Sequence, residues 1–155
     1  MGLNDWILSL HLLSGFALVG AMVLFWTLVV ASRNTTDPAQ RVALGRVGDV
    51  GGIVIGFGFV GTIVFGLWLS FGKDDYAPWN GWIAAAIVLW VIGGDTGGRA
   101  GRRYGDVQKR AEEMAAAGQV AQPGEFRSRS GEVMLAISSV AILLTLIDMI
   151  WKPGA

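Results

Sequence analysis

Four apolar stretches, each long enough to cross a lipid bilayer, constrain this chain more than any other feature. They cover residues 6–31, 50–71, 82–97, extended by a glycine-rich tail, and 133–151. A transmembrane helix needs about 20 apolar residues, and in lipid only helices and closed barrels satisfy every backbone polar group. Barrel strands would be shorter and would alternate in polarity. The sequence therefore predicts an all-α, four-transmembrane-helix bundle forming one domain over residues 1–155, with a cytoplasmic loop and helix over 98–130.

Composition excludes several other classes of protein. Hydrophobic residues make up 53% of the chain and charged residues 15%, with a mean hydropathy of +0.53, whereas soluble domains are about 25% charged. Twelve cationic residues balance twelve acidic ones, which argues against a nucleic-acid-binding protein. The absence of cysteine excludes disulfides and thiolate metal sites, and a single histidine excludes a two-histidine metal site within one copy.

The distribution of lysine and arginine predicts the orientation of the chain. Ten of the twelve fall in the first and third connecting segments, and the other two are Lys73 and Lys152. Cytoplasmic loops carry an excess of basic residues, so both termini are expected outside a bacterial inner (cytoplasmic) membrane that the chain crosses several times. Tryptophans, which favour membrane interfaces, are expected at the outer one: Trp6, Trp79, Trp82 and Trp151.

Glycines recur at every fourth position in two places. One stripe enters the second span and the other leaves the third: Gly48, Gly52, Gly56, Gly93, Gly97, Gly101 and Gly105. Small residues at this spacing let helices approach closely in lipid. We therefore expect the second and third spans to pack on each other, or on a neighbour, as in a glycine zipper.

A second interpretation concerns the basic residues beside the third-span glycines. The segment Gly94–Arg99 with Arg102 and Arg103 lacks the Lys-Ser/Thr ending of a nucleotide-binding loop and does not follow a strand. Three arginines at the cytoplasmic membrane surface favour binding of an anionic lipid head group. The predicted head-group residues are Arg99, Arg102 and Arg103.

Ionisable residues near span ends are functional candidates because burying charge in lipid is costly. Three carboxylates and four arginines lie at the cytoplasmic ends of the spans: Asp49, Asp95, Glu132, Arg33, Arg46, Arg99 and Arg129. They predict an ion-pair cluster that clasps the helix ends. A proton or ion path through the same residues is the alternative.

His11 and Asp148 lie inside spans at the opposite end. At about 1.5 Å per residue, both lie roughly 5–8 Å from the outer tryptophans. If the first and fourth spans adjoin, the two side chains form a structural hydrogen-bonded pair, a haem or metal ligand site, or a proton relay. The remaining possibility is that they do not meet.

The first span, with His11-Leu12-Leu13-Ser14-Gly15 followed by Gly20, resembles the opening of a family of small bacterial four-helix integral membrane proteins. It is also distantly similar to the membrane protoporphyrinogen oxidase and copper-resistance D group. That resemblance implies His11 as a haem or metal ligand. The oxidase family also has a lysine within a later span, and no predicted span here contains one.

Three functions follow as hypotheses. The first is a non-catalytic accessory or scaffold subunit that packs through its glycine faces in a larger membrane complex or homo-oligomer. The second is a haem-binding membrane redox protein with His11 as axial ligand, which one histidine per chain permits. The third is a small transporter or channel component, which would need an oligomer to form a pore.

Overall fold

The computed structural model describes residues 2–71 and 80–152, and all the regular structure in these residues is helical. The helices are α1 (Leu3–Ser32), α2 (Pro38–Phe71), α3 (Gly81–Ala116) and α4 (Arg129–Trp151). At about 1.5 Å per residue they are about 45, 51, 54 and 35 Å long, and a bilayer's hydrocarbon core is about 30 Å thick. This confirms the predicted all-α architecture with four helices long and apolar enough to span a membrane.

Helix α2 begins twelve residues before the span predicted at residue 50. The segment 38–49, predicted as part of a loop, is therefore helical. Proline favours the first position of a helix, here taken by Pro38, and the Asp37 carboxylate caps the helix by accepting from the Ala39 backbone N–H at 2.9 Å. Helix α3 likewise continues past residue 97 and ends at Ala116, just before Gly118 with φ +64°.

The helices pack mainly as two pairs, α1 with α2 and α3 with α4, with a smaller contact between α2 and α3. Two buried apolar clusters join the pairs. The first contains Leu18, Met22 and Ile142, and the second contains Val29, Ala100 and Leu135. Both clusters bring α1 against α4, so the chain forms a four-helix bundle.

A third buried cluster lies beyond the predicted spans, where α2 and α3 project from the apolar part of the bundle. It joins Ala111 of α3 to Ala121 and Phe126 of the following loop. The Ala121 backbone N–H donates to the Thr36 carbonyl at 3.0 Å. We call this end of the bundle, residues 33–49 and 99–132, the arginine end, because all nine arginines of the chain lie in these two segments.

The outer surface of the spans is strongly apolar. Many large hydrophobic side chains are exposed, among them Phe57 at 77% and Phe16 at 73%. An exposed apolar surface of this kind is typical of a membrane or protein contact.

The predicted tryptophan anchors differ among themselves. Trp6 and Trp151 are exposed, whereas Trp82 is buried and has the Lys152 ammonium 5.7 Å from its ring centroid. Lys73, Trp79 and the predicted outer turn over residues 72–78 lie outside the described residues.

Candidate ligand cavity at the arginine end

A cavity of about 270 Å³ lies between α1, α2 and α3 at the arginine end. Its apolar wall comes from Phe25, Leu28 and Val29 of α1, inside the first predicted span. Its polar wall includes Arg41 of α2 and Tyr104 of α3, which lie outside the predicted spans. The cavity therefore crosses the boundary between the apolar and charged parts of the molecule. We call it the Arg41 cavity.

Arg41 is the buried charge of this cavity, with 6% of its surface exposed. Its Nη1 donates to the Gln108 Oε1 at 2.8 Å, and its Nε is buried without a hydrogen-bond partner. Within the ranges 2–71 and 80–152, no carboxylate lies within salt-bridge distance of it. Arginine is almost never buried unless it is paired, so this guanidinium has capacity for an anion.

Gln108 fixes the position of Arg41. Its Nε2 donates to the Val42 carbonyl at 3.3 Å and to the Glu112 Oε1 at 3.2 Å, leaving the Oε1 for Arg41. A Cβ added to Gly45 would overlap the Gln108 side-chain amide. Gln108 can therefore reach across from α3 to α2 only because residue 45 has no side chain.

Tyr104 contributes a second vacant donor. Its hydroxyl oxygen is buried without a hydrogen-bond partner, and a phenol O–H is a good donor. The neighbouring Ser32 hydroxyl is already used, because it donates to the Val29 carbonyl at 3.2 Å. The cavity therefore holds two vacant donors, one charged and one neutral.

Glycine backbone forms much of the cavity lining. A Cβ added to Gly52, Gly101 or Gly105 would meet nothing within 4 Å. These helical glycines thus make no close contact of their own, and their missing side chains leave the cavity open.

The two predicted glycine stripes do not pack on each other. On α2, Gly48 faces Phe25 and Leu28 of α1, and Gly56 faces open space. On α3, Gly93 and Gly97 face Ile142 and Ser138 of α4, with distances of 3.5 Å and 2.9 Å from an added Cβ. Gly93 and Gly97 therefore lie in the hairpin with α4, whereas Gly48 and Gly52 of α2 and Gly101 and Gly105 of α3 line the same Arg41 cavity without touching.

Closer helix contacts come from glycines that the four-residue spacing does not mark. A Cβ on Gly58 would lie 2.9 Å from both the Leu18 nitrogen and the Ser14 carbonyl oxygen of α1. Gly61 faces the Ser14 hydroxyl, and Gly66 faces the His11 ring. The three lie three and five residues apart, a spacing without a simple period.

The predicted ion-pair cluster is divided into separate pairs. Glu132 is bound by Arg127, which donates from Nε and Nη2 at 3.1 Å each, and by Arg33, whose Nε lies 3.3 Å from its Oε1. These hydrogen bonds raise the pKa of the Arg127 guanidinium above its ordinary value. Asp95 forms a separate pair with Arg99, another member of the predicted cluster, four residues later on the same exposed surface.

Asp49, Arg46 and Arg129 are the members of the predicted cluster that the described residues place in no ion pair. Asp49 and Arg46 are exposed on α2, and Asp49 lines the Arg41 cavity. Sequence reasoning missed Arg127 as a partner of Glu132, because the loop that returns it to the helix end has no periodic signal.

The three arginines predicted to bind a lipid head group are exposed on α3 and do not line the Arg41 cavity. Arg99 is bound to Asp95, with its Nη2 3.0 Å from the carboxylate. Sequence reasoning did not single out Arg41, Tyr104 or Gln108. The available signal was an arginine and a tyrosine flanked by the glycines that line the cavity.

His11 and Asp148 are not joined by a hydrogen bond. His11 lies between α1 and α2, where its Nδ1–H donates to the Thr62 carbonyl at 3.0 Å. The Oδ2 of Asp148 is buried without a partner on α4. His11 meets α2 because that helix is the main partner of α1, so its hydrogen bond goes to a backbone carbonyl.

In residues 2–71 and 80–152, no group of three or more histidine and acidic side chains could hold a metal ion. The described part of the chain thus presents a polar cavity with vacant donors as its most developed candidate site. Comparisons of the chain with protein-family models, curated proteins and solved structures found no match.

Proposed function

We propose that this chain is a multi-pass protein of the bacterial inner membrane that acts as a non-catalytic accessory or scaffold subunit. It packs through the outer face of α2 in a larger membrane complex or a homo-oligomer. Both termini lie outside, and the arginine end faces the cytoplasm. The asymmetry of the basic residues supports this orientation.

One observation carries the packing proposal: α2 leaves an open glycine on its outer face. In its most apolar stretch, 11% of the residues are buried, compared with 28% for α4. Gly56 lies in this stretch, is exposed, and has nothing within 4 Å of an added Cβ. An exposed glycine on an apolar helix lets a further helix approach closely in lipid.

Cysteine cross-linking in native membranes tests this proposal, because the wild-type chain has no cysteine. Gly56→Cys labelled with a benzophenone maleimide is expected, on irradiation, to give a cross-linked product of defined mass. A product of twice the chain's mass indicates a homo-oligomer, and another discrete mass indicates a complex with a second protein.

Val91→Cys is the matched control. Val91 is also exposed, at 54%, but it lies on α3 among large apolar side chains. It is expected to remain monomeric with the same label and irradiation. Equal yields of product at positions 56 and 91, or none at either, would contradict packing through α2.

Labelling with a membrane-impermeant maleimide tests the orientation. Asn4→Cys, at the end opposite the arginines, is expected to react in intact spheroplasts. Arg103→Cys, at the arginine end, is expected to react after lysis. The reverse pattern would overturn the proposed topology.

A further inference from the structure

The Arg41 cavity is built for an acceptor that carries negative charge. Its two vacant groups, the Arg41 Nε and the Tyr104 hydroxyl, are both donors. A buried donor without a partner costs free energy, and a buried charge costs more. A carboxylate or phosphate supplies several acceptor oxygens and the missing negative charge.

The shape of the cavity indicates which kind of anion fits. Phe25, Leu28 and Val29 line the side that lies inside the first predicted span, whereas Arg41 lies beyond the spans. A free inorganic anion would leave the apolar wall unused. A molecule with an anionic head and an apolar chain would match both walls.

The volume agrees with this division. Pockets that enclose a whole drug-sized ligand begin at about 300 Å³, and this cavity has about 270 Å³. It therefore suits one end of an amphiphile, with the rest of the molecule in the bilayer. The bare backbone at Gly52, Gly101 and Gly105 provides the room.

We infer that the Arg41 cavity binds the anionic head group, phosphate or carboxylate, of a membrane amphiphile. Arg41 holds the charge, Tyr104 donates a second hydrogen bond, and Gln108 fixes the arginine. This site is distinct from Arg99, Arg102 and Arg103 on the exposed surface of α3. The inference rests on the proposed membrane location but needs no protein partner. A failure of cross-linking at position 56 would therefore leave lipid binding at the Arg41 cavity untouched, and the reverse also holds.

Asp49 is the charged group that opposes an anion here. It lines the cavity, and its side chain is exposed. We therefore expect Asp49→Asn to leave the affinity for an anionic amphiphile unchanged or to raise it. A fall in affinity in this variant would indicate a cation site and would overturn the inference.

Lipid binding to the purified, delipidated full-length chain in detergent tests the inference, measured by native mass spectrometry. Phosphatidylglycerol is expected to bind about tenfold more tightly than diacylglycerol, which lacks the phosphate, since a hydrogen bond to a charged group contributes roughly a factor of ten or more. Arg41→Gln is expected to remove this preference. Arg102→Gln, which changes an exposed arginine on α3, is expected to change it by less than about twofold.

A second variant keeps the test valid if Arg41→Gln does not fold. Gly101→Leu fills the cavity without changing any charge and is expected to lose phosphatidylglycerol binding to the same extent. Unchanged selectivity in folded Arg41→Gln or Gly101→Leu would overturn the inference. Displacement of the lipid by an equal concentration of inorganic phosphate would show that the site binds a free anion. That result would overturn the proposal that its ligand is an amphiphile.

Discussion

The interface between α1 and α2 has two halves that use glycine in opposite ways. In the closed half, an added Cβ on Gly58 would lie 2.9 Å from backbone atoms of α1, and Gly61 and Gly66 face Ser14 and His11. The polar group here is satisfied, because His11 donates to the Thr62 carbonyl. Glycine brings the two helices together along this half.

In the open half, glycines contact side chains or leave space: an added Cβ on Gly45 would overlap the Gln108 amide and one on Gly51 would lie 3.0 Å from the Leu24 side chain. Gly48 faces Phe25 and Leu28 at 3.6–3.9 Å from an added Cβ, and Gly52 faces nothing within 4 Å. The polar groups Arg41 and Tyr104 keep vacant donors. The difference lies in α1, which presents Ser14 and bare backbone to one half of α2 and large side chains to the other.

A glycine therefore has no fixed role in this bundle, because its effect depends on what the facing helix presents. Glu132 of α4, bound by Arg127 and by Arg33 at the end of α1, ties the arginine end together by charge. The closed half is held by shape, and the arginine end beside the open half is held by ion pairs between the ends of α1 and α4. Four measurements compare these two halves.

The largest effect is expected from Gly58→Ala. Its Cβ would lie 2.9 Å from backbone atoms that have no rotamer to change, so α1 and α2 must move apart. We expect a loss of about 3 kcal/mol in the free energy of unfolding, at the upper end for an overpacked core.

Gly52→Ala is the matched control on the same helix. With nothing within 4 Å, it is expected to be neutral or to stabilise the chain by up to about 1 kcal/mol through helix propensity. Thermal unfolding in detergent, followed by circular dichroism, measures both variants. Equal destabilisation at positions 52 and 58 would contradict the division into two halves.

The second effect is expected from Glu132→Gln. Glu132 is 9% exposed and accepts two hydrogen bonds from Arg127. We expect a loss of about 2 kcal/mol, because each hydrogen bond to a charged group contributes roughly 1.5–3 kcal/mol. Asp95→Asn, which breaks an exposed pair on one helix, is expected to cost about 0.5 kcal/mol or less. Urea unfolding measures both variants. A similar loss of unfolding free energy in Glu132→Gln and Asp95→Asn would show that the burial of Glu132 does not strengthen its ion pairs.

The third effect is expected from His11→Ala. The variant removes the bond to the Thr62 carbonyl and the ring that rests on Gly66. We expect a loss of about 1 kcal/mol, since interhelical hydrogen bonds in membranes average about 0.6 kcal/mol. The visible spectrum of the same preparations tests the haem hypothesis. A Soret band in the wild type that disappears in the variant would make His11 a ligand as well as a packing residue.

The smallest effect is expected from Tyr104→Phe in delipidated protein. This variant removes a buried hydroxyl that has no partner, so stability is expected to stay the same or to rise by up to about 1 kcal/mol. Differential scanning calorimetry with and without phosphatidylglycerol separates the two states. A loss of about 1 kcal/mol or more without lipid would mean that Tyr104 is satisfied within the bundle and that the cavity has no vacant phenol.

Much of the fold was predictable, and most of the site was not. The four apolar stretches gave the helices, because backbone in lipid has to be helical when the stretch is this long. Residues 38–49 were missed because they carry Arg41 and Arg46 and read as a polar loop. Arg41 was thus counted as one basic residue among ten and not recognised as a buried group.

Pairing across helices was the other part that the pattern could not give. His11 and Asp148 share a depth, but depth says nothing about which helix face meets which. Glu132 found Arg127 and Arg33, whereas Asp49 found no ion-pair partner within the described ranges. These outcomes depend on helix rotation, which the surrounding side chains set.

The sequence by itself determined that this chain forms four long apolar helices with the arginines gathered at one end, because hydrophobic length and charge distribution are properties of local sequence. The tertiary structure alone decided which glycines close an interface and which line a cavity. It also decided which buried donors remain without a partner. Those features depend on the side chains that a neighbouring helix brings to within a few ångströms, and residues far apart in the chain supply them.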